Sequence, residues 1–131
     1  MPGGDLSQQL EARDSHPFSE IEVKHLLYQV CQALKYLHDR NIVHRDIKLE
    51  NVVLKNAKRG CVAKLSDFGL AAYASDEALM GNGEIVGTPG YIAPEVMERQ
   101  PCGKSSDIWS LGCLIFSMLT ARMYPDPLCS F

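Results

Sequence analysis

Residues 44–51 gather most of the chemically reactive side-chain types of this sequence into one short segment. They read HRDIKLEN and supply a histidine, an arginine, a lysine, two acids and an asparagine. Apolar residues at helical spacing precede the segment, and a short apolar run at 52–54 follows it. Because both flanks can be buried, the sequence predicts a packed fold that presents this polar loop.

Two further motifs follow the loop. Residues 67–69 read DFG, sixteen residues after Asn51, and residues 93–95 read APE. In this order the three motifs resemble the catalytic loop, the metal-binding turn and the end of the activation segment of eukaryotic serine/threonine protein kinases. The resemblance runs from Pro2 to about Thr120, and within that family it is loosely similar to the calcium/calmodulin-dependent group.

The resemblance implies a fold class that is mainly α with a small β-hairpin, corresponding to a truncated C-lobe of the α+β protein-kinase fold. Residues 1–131 would then form a partial kinase domain that runs from the end of the hinge to the central C-lobe helix. The N-lobe and the last C-lobe helices are expected to be absent, since the sequence has no Gly-rich loop of the type G-x-G-x-x-G.

The residue pattern itself predicts two N-terminal helices. Asp5 follows a Pro-Gly-Gly breaker cluster and is expected to cap a short helix that ends at Leu10 or Glu11. Ser19 and Glu22 have the spacing of a capping box. Apolar residues then recur at helical spacing and predict one buried stripe, which comprises Val23, Leu26, Leu27, Val30, Leu34 and Leu37.

His25 and His38 lie on this second helix, and we expect them at the surface or at capping positions because no cluster of metal ligands lies nearby.

Residues 52–54 and 62–65 predict the two strands of a hairpin. Residues 70–92 have no clear periodicity and are expected to be irregular.

The most apolar segment predicts a helix from Asp107 through about Thr120, capped by Ser105 or Ser106. Its composition is typical of a helix that is buried on all sides. Without the last C-lobe helices, part of it is expected to be exposed. The missing N-lobe or another partner would then cover exposed apolar surface.

The resemblance assigns chemistry to four residues. Asp46 is implied to be the catalytic base for the acceptor hydroxyl, and Lys48 to place a positive charge on the transferred phosphate. A lysine there is typical of serine/threonine kinases. Asn51 and Asp67 are the implied Mg²⁺ ligands, because an amide oxygen and a carboxylate are hard donors.

The implied nucleotide-binding and neighbouring positions are Asp5, Leu6, Lys48, Glu50, Asn51, Val53 and Asp67. Among them, Asp5 and Glu50 lie where some kinases place acids that attract a basic residue of the substrate, although solvated acids are an equal reading. The implied cofactors are ATP and Mg²⁺, and the implied partner is a protein with a Ser or Thr hydroxyl in a basic context.

Further positions are implied to support the substrate or the loop. Thr88 matches a residue whose hydroxyl contacts Asp46 and Lys48. Asp107 matches an aspartate that binds the catalytic-loop backbone. It could also be an acid in the first turn of a helix that the helix dipole favours, and both can hold. Glu95 matches a residue that normally meets an arginine of the last C-lobe helices.

Glu84 is expected to stand in for an activating phosphate, with Arg45 as its partner. In the related pattern a phosphorylated threonine lies three residues before the glycine at position 87. A solvated Glu84, with Ser75 or Thr88 modified instead, remains the other possibility.

Composition limits the remaining function classes. The formal net charge of −3 gives no general attraction to nucleic acid, and no apolar run is long enough to span a membrane. Five cysteines without a C-x-x-C pattern are typical of reduced thiols, and no secretory signal is apparent. We therefore expect an intracellular, cytoplasmic protein, with the nucleus as an alternative.

The predicted function is ATP-dependent phosphoryl transfer to protein Ser or Thr hydroxyls, present here as a fragment. The isolated chain is expected to bind ATP weakly and to have negligible activity. The other hypothesis is a truncated, kinase-derived binding or regulatory module without activity. The intact set of Asp46, Lys48, Asn51 and Asp67 favours the enzyme, because a pure binding module has no need of all four.

Overall fold

The computed structural model of the chain describes residues 2–56, 60–75 and 85–122. Helices account for most of the regular structure, and two small antiparallel sheets complete it. In chain order the elements are α1 (Leu6–Glu11), α2 (Glu20–Asp39), β1 (Ile42–Val43), a 3₁₀ turn (Leu49–Asn51), β2 (Val52–Leu54), β3 (Ala63–Leu65), β4 (Ala72–Tyr73), α3 (Pro94–Met97) and α4 (Lys104–Thr120). The predicted mainly α fold with a small hairpin is confirmed.

Both N-terminal helices begin at the predicted caps. The Asp5 side chain accepts a hydrogen bond from the Gln8 amide at 2.9 Å. The capping box is complete, because the Ser19 and Glu22 side chains each accept from the other residue's amide. Glu22 also forms a salt bridge of 2.7 Å with Arg13, which ties the segment after α1 to the start of α2.

The core forms where the buried stripe of α2 meets the hairpin and α4. The α2 residues buried there are Val23, Leu26, Val30 and Leu34, as predicted, with Leu27 partly buried. Leu37 is also buried, as predicted, but it does not belong to this cluster. From the other side, Leu114 and Met118 of α4 are each only 1% exposed. The polar loop at 44–51 is therefore mounted on one continuous apolar cluster.

The predicted hairpin pairs β2 with β3, in the register Val52 to Leu65 and Leu54 to Ala63. The side chain of Gln29 in α2 binds the backbone at the edge of this sheet. Its side-chain nitrogen donates to the Cys61 carbonyl at 3.1 Å, and its side-chain oxygen accepts from the Ala63 amide at 3.0 Å. A side-chain amide thus satisfies backbone groups at the hairpin edge.

A second sheet, between β1 and β4, was not predicted. Ile42 pairs with Tyr73 and Val43 pairs with Ala72. Two-residue strands are too short to show alternation of apolar and polar residues. Residues 70–92 were therefore predicted to be irregular throughout. This sheet fixes the start of the polar loop against the segment that follows the DFG turn.

The predicted start of α4 is wrong. The helix begins at Lys104 and its N-cap is Gly103, which makes no side-chain cap bond. Ser105 and Ser106 lie inside the first turn, where the Ser106 amide donates to the Gly103 carbonyl at 3.1 Å. A glycine cap works through its backbone, so it lacks the side-chain signal by which caps are recognised.

Helix α4 is not buried on all sides, which corrects the interpretation drawn from its composition. Ile108 is 55% exposed, and Trp109 and Leu119 are also exposed. The expectation that part of this helix lies open in the present chain is confirmed. Among the helices of the described ranges, none is both long enough and apolar enough to cross a membrane.

Candidate active site

The polar loop enters the site through a strained backbone conformation. Arg45 has a φ of 67°, in the left-handed region that few non-glycine residues adopt. Its neighbours hold it in place, because the side chains of Val43, His44 and Ile47 are completely buried. Anchored side chains on both sides of Arg45 therefore fix the direction of the loop.

Asp107 of α4 binds the strained turn directly. Its Oδ2 accepts from the His44 amide at 2.9 Å, and its Oδ1 accepts from the Arg45 amide at 2.8 Å. The Asp107 side chain is fully buried. These are the contacts expected of an aspartate that holds the catalytic-loop backbone, and they satisfy two consecutive backbone amides, of which that of His44 is buried and that of Arg45 is partly buried.

His44 joins the loop to the DFG segment. The Asp46 amide donates to His44 Nδ1 at 3.3 Å, so Nε2 carries the ring proton and donates to the Ser66 carbonyl at 3.2 Å. The ring also packs on Phe68, with centroids 5.1 Å apart. Both motifs thus depend on one buried imidazole.

Asp46, Lys48 and Thr88 form a closed triangle of polar contacts. The Thr88 hydroxyl donates to Asp46 Oδ1 at 2.6 Å. Lys48 Nζ lies 2.9 Å from Asp46 Oδ2 and donates to Thr88 Oγ1 at 2.7 Å. The three predicted residues meet at one point, although they are separated by up to 42 positions in the chain.

Asn51 supports Asp46 from the 3₁₀ turn. Its side-chain nitrogen donates to the Asp46 carbonyl at 2.8 Å and to Asp46 Oδ2 at 2.9 Å. The bond orientation leaves the Asn51 side-chain oxygen outside these two contacts. Asn51 is almost fully buried, so its amide is held in this orientation by the fold.

The contacts around Asp46 favour its ionised form. Burial raises the pKa of the Asp46 carboxyl, but hydrogen bonds from Thr88, Lys48 and Asn51 and the charge of Lys48 outweigh that effect. The pKa of Asp46 is therefore held below its usual range. At neutral pH the group is a carboxylate that can accept a proton.

Asp67 has a different environment. It has a φ of 57° and is exposed, and its Oδ1 accepts from the Gly69 amide at 3.1 Å. The preceding residue, Ser66, donates its amide to the Asn51 carbonyl at 2.9 Å. The chain therefore brings Asp67 next to the Asn51 segment, but the side chain itself is held only by its own turn among the bonds of the described residues.

The other predicted positions lie around this centre. Asp5 and Val53 form an isolated antiparallel bridge, which places the first helix against β2. Leu6 is completely buried, Val53 is partly buried and Glu50 is exposed. Asp5, Leu6 and Val53 therefore form a group of their own, distinct from the contacts of Asp46.

The structure shows contacts of Arg45 and Glu95, but not the partners predicted for them. Arg45 Nε donates to the Leu70 carbonyl at 2.5 Å, which links the loop to the residue after the DFG turn. Glu84, its proposed partner, lies outside the described residues, so that pairing stays a prediction. Glu95 accepts from the Ser105 hydroxyl at 3.4 Å and borders a groove of about 640 Å³ along the exposed face of α4.

His38 was missed by the sequence analysis. It was expected at the surface or at a cap, but its Nε2 lies 2.8 Å from Asp107 Oδ2 and its side chain is only 15% exposed. Its position carried a signal, because it lies four residues after Leu34 on the buried stripe of α2. His25, in contrast, is exposed as expected.

Comparison with known proteins agrees with this geometry. The sequence profile described as "Protein kinase domain" matches residues 1–126. The chain belongs to the protein kinase domain family. The match spans the loop, the DFG turn and α4, and the relatives of the chain include serine/threonine kinases.

Three relatives illustrate the likeness. Serine/threonine-protein kinase Nek5 of Mus musculus is 40% identical over 92% of this chain and 19% of its own length. Calcium/calmodulin-dependent protein kinase type II of Caenorhabditis elegans is 40% identical over 94% of the chain and 16% of its length. MAP kinase-activated protein kinase mak-1 of the same organism is 42% identical over 91% and 22%.

This kinase-family chain spans only about a fifth of the length of these relatives. Members of the family act on protein substrates and generally use ATP and Mg²⁺. The donor types present here fit Mg²⁺, because Asn51 offers an amide oxygen and Asp67 a carboxylate. No cluster of three or more His, Cys, Asp or Glu side chains suited to a metal occurs in the described ranges. A two-ligand site that also uses phosphate oxygens needs no such cluster.

Proposed function

We propose that the protein to which this chain belongs transfers a phosphoryl group from ATP to Ser or Thr hydroxyls of proteins. The observation that carries the proposal is the 2.6 Å contact between the Thr88 hydroxyl and Asp46 Oδ1. A hydroxyl already donates to the carboxylate that would act as base. The same carboxylate can therefore accept the proton of an incoming Ser or Thr.

Asp46 has the properties that such a base requires. It is ionised at neutral pH, since its pKa lies below the usual range. Asn51 and Lys48 fix both its carboxylate and its backbone carbonyl. A positioned acceptor contributes to rate through orientation as well as basicity.

Lys48 supplies the positive charge next to the base. Its ammonium lies within 2.9 Å of Asp46 and 2.7 Å of Thr88. In phosphoryl transfer, charge spreads over the equatorial oxygens of the transferred group, and a nearby cation stabilises it. Lys48 would therefore orient Asp46 before the reaction and neutralise phosphate charge during it.

Asn51 and Asp67 are the residues that would hold Mg²⁺, and Mg²⁺ when bound neutralises phosphate charge. Asn51 would act from a fixed amide, whereas Asp67 would contribute a carboxylate from an exposed turn. Leu6 and Val53, at the contact between α1 and β2, are the proposed apolar neighbours of the nucleotide.

The proposed substrates carry basic residues near the acceptor. Glu50 is exposed at the 3₁₀ turn that also contains Asn51, and Asp5 forms a bridge with Val53 of β2. Substitution Glu50→Gln should lower the preference for peptides with Arg or Lys over matched neutral peptides. An unchanged preference would remove Glu50 from substrate recognition.

We also propose an intracellular location, in the cytoplasm or the nucleus. In the described part of the chain Cys31, Cys61, Cys102 and Cys113 are free thiols, which is typical of reducing compartments. Fractionation of cells that express the protein tests this proposal, and recovery in the secreted fraction would reject it.

The second candidate is a kinase-derived binding module without activity. The exposed apolar residues Ile108 and Trp109 on α4 favour it, because such a patch can mark an interaction site. That candidate assigns no chemistry to Asp46, so it predicts that Asp46 can be changed without loss of function.

The two candidates are separated by a phosphate-transfer assay on the longest gene product that contains this sequence. Wild-type protein should transfer labelled phosphate to Ser or Thr, and Asp46→Asn should reduce the rate by about 10²–10⁴-fold. Asp39→Asn is the matched control, because Asp39 is an exposed acid on α2 that pairs only with Lys35 among the described salt bridges. Equal rates for the two variants, or no transfer by the wild type, would reject the proposal.

A further inference from the structure

Thr88, whose hydroxyl contacts Asp46, lies at the first position of a tight turn formed by residues 88–91. The Tyr91 amide donates to the Thr88 carbonyl at 3.0 Å and closes the turn. Proline at the second position and glycine at the third, with a φ of 87° at Gly90, are typical of a type II turn. The turn therefore has a defined shape, and its placement decides where the Thr88 side chain lies.

The chain enters the 88–91 turn in close contact with the polar loop. Gly87 has a φ of 114°, a backbone conformation that glycine adopts without strain. A Cβ atom at this position would lie 3.1 Å from the Arg45 carbonyl oxygen and 3.3 Å from Cγ1 of Ile92. Backbone packing therefore fixes the first side of the turn.

A side chain of α4 holds the other side of the turn. Ser110 Oγ donates to the Tyr91 carbonyl at 2.7 Å, and it also lies 3.1 Å from the Ser106 carbonyl of its own helix. Ser110 and Tyr91 are only 7% and 4% exposed. A buried carbonyl needs a donor, and Ser110 is the donor to the Tyr91 carbonyl within the described ranges.

The two acceptors of the Ser110 hydroxyl correspond to two different roles. A hydroxyl carries one proton, so the two carbonyls compete for it. A serine inside a helix often bonds the carbonyl four residues back, and that bond alone would make Ser110 a local feature of α4. The shorter contact is the one with Tyr91, and it joins α4 to the 88–91 turn.

We propose that Ser110 is a positioning residue for catalysis: its buried hydroxyl anchors the 88–91 turn to α4 and thereby holds the Thr88 hydroxyl on Asp46. Hydrogen bonds weaken steeply as their geometry changes, so a small shift of the turn would loosen the 2.6 Å contact. The catalytic consequence rests on the proposed kinase function, whereas the anchoring of the turn does not depend on activity. If Ser110 bonds only within its own helix, alanine should replace it without effect, because alanine is the better helix former.

The direct test is amide hydrogen exchange, followed by NMR, on the 131-residue chain. Ser110→Ala removes the donor, whereas Ser110→Thr keeps a hydroxyl that can take the same position. Thr120→Val is the matched control, because Thr120 is an exposed residue of the same helix whose hydroxyl donates to the carbonyl four residues back at 2.7 Å. The Val30 amide, in the buried part of α2, reports any general loss of stability.

We expect Ser110→Ala to speed exchange of the Tyr91 amide by about tenfold relative to Thr120→Val, with a change of less than about threefold at Val30. Ser110→Thr should return the Tyr91 amide to within about threefold of the wild type. Equal exchange at Tyr91 in Ser110→Ala and Thr120→Val would overturn the proposal. Equal acceleration at Tyr91 and Val30 would overturn it too, because it would show only a general loss of stability.

Ser110→Cys keeps the test decisive if the alanine or the threonine variant does not fold. Its thiol is similar in size to the hydroxyl but is a weaker donor. The Tyr91 amide should therefore exchange faster in Ser110→Cys than in the wild type, and more slowly than in Ser110→Ala. Exchange at the wild-type rate in Ser110→Cys would contradict the anchoring role of the hydroxyl.

Activity supplies the second readout, in the longest gene product that contains this sequence. A positioning role predicts that Ser110→Ala lowers kcat by about tenfold with little change in the KM for ATP, and that Ser110→Thr restores kcat. Altered exchange together with an inactive wild type would reject the kinase proposal and keep the anchoring of the turn. An active wild type with a kcat unaffected by Ser110→Ala would reject the catalytic role of Ser110.

Discussion

Asp46 and Asp67, the two carboxylates predicted for the chemistry, lie in opposite surroundings. Asp46 is buried and receives hydrogen bonds from Thr88, Lys48 and Asn51. Asp67 is exposed, and its side chain accepts a bond only from its own turn among the described contacts.

The difference separates two kinds of proposed functional residue. Buried hydrogen bonds and a strained backbone orient the Asp46 side chain before any ligand binds. The hydrogen bond from the Ser66 amide to the Asn51 carbonyl places Asp67 near the Asn51 segment, but the Asp67 carboxylate remains accessible. A base has to be positioned in advance, whereas a metal ligand can be ordered by the metal complex that it binds.

The largest loss of stability is expected when Asp107 is replaced, because Asp107 holds the turn that leads into Asp46. Asp107→Ala leaves the His44 and Arg45 amides and the His38 side chain without their buried acceptor. The free energy of unfolding should fall by about 3 kcal/mol or more, because each buried group that loses its partner is costly.

Urea unfolding of the 131-residue chain measures this loss. Asp39→Ala is the control, since the Asp39–Lys35 pair is exposed and screened by solvent and should contribute little to stability. Similar losses for the two variants would mean that Asp107 does not support the loop.

A smaller loss is expected for Asn51→Ala, which removes two hydrogen bonds to Asp46. We expect a decrease of about 1–2 kcal/mol in the free energy of unfolding, because both bonds are buried. The measurement is again urea unfolding. A neutral result would mean that Asp46 is positioned without Asn51.

The smallest effect is expected for Asp67→Asn. Asparagine tolerates the positive φ of 57°, and the lost carboxylate is exposed, so stability should change by less than about 0.5 kcal/mol. In the same unfolding assay Asp46→Asn should be clearly more destabilising. A large loss for Asp67→Asn would contradict the distinction between the two carboxylates.

The features that the sequence predicted are mostly local. The Ser19–Glu22 capping box, the stripe of α2 and the hairpin after Asn51 each depend on residues a few positions apart, so their patterns are visible in one dimension. The central site was found only because its motifs resemble a known family, since Asp46 and Thr88 are 42 positions apart.

The features that were missed are non-local or leave no side-chain signal. The contact between His38 and Asp107 joins positions 69 residues apart, and neither residue type identifies the other as its partner. Strands β1 and β4 have two residues each. The start of α4 depends on the backbone of Gly103.

The most direct test of the account is the ionisation of Asp46, followed by carboxyl-carbon NMR in the labelled 131-residue chain. We predict that the pKa of Asp46 lies below the usual range for aspartate. It should rise in Lys48→Met, because the hydrogen bond and charge of Lys48 then no longer counter the effect of burial. Since the folded-state pKa is the lower one, the stability from this group is present above the unfolded-state pKa. It is lost as the pH falls through the folded-state pKa. A pKa for Asp46 at or above the usual range, unchanged in Lys48→Met, would contradict the claim that the fold prepares this carboxylate as a base.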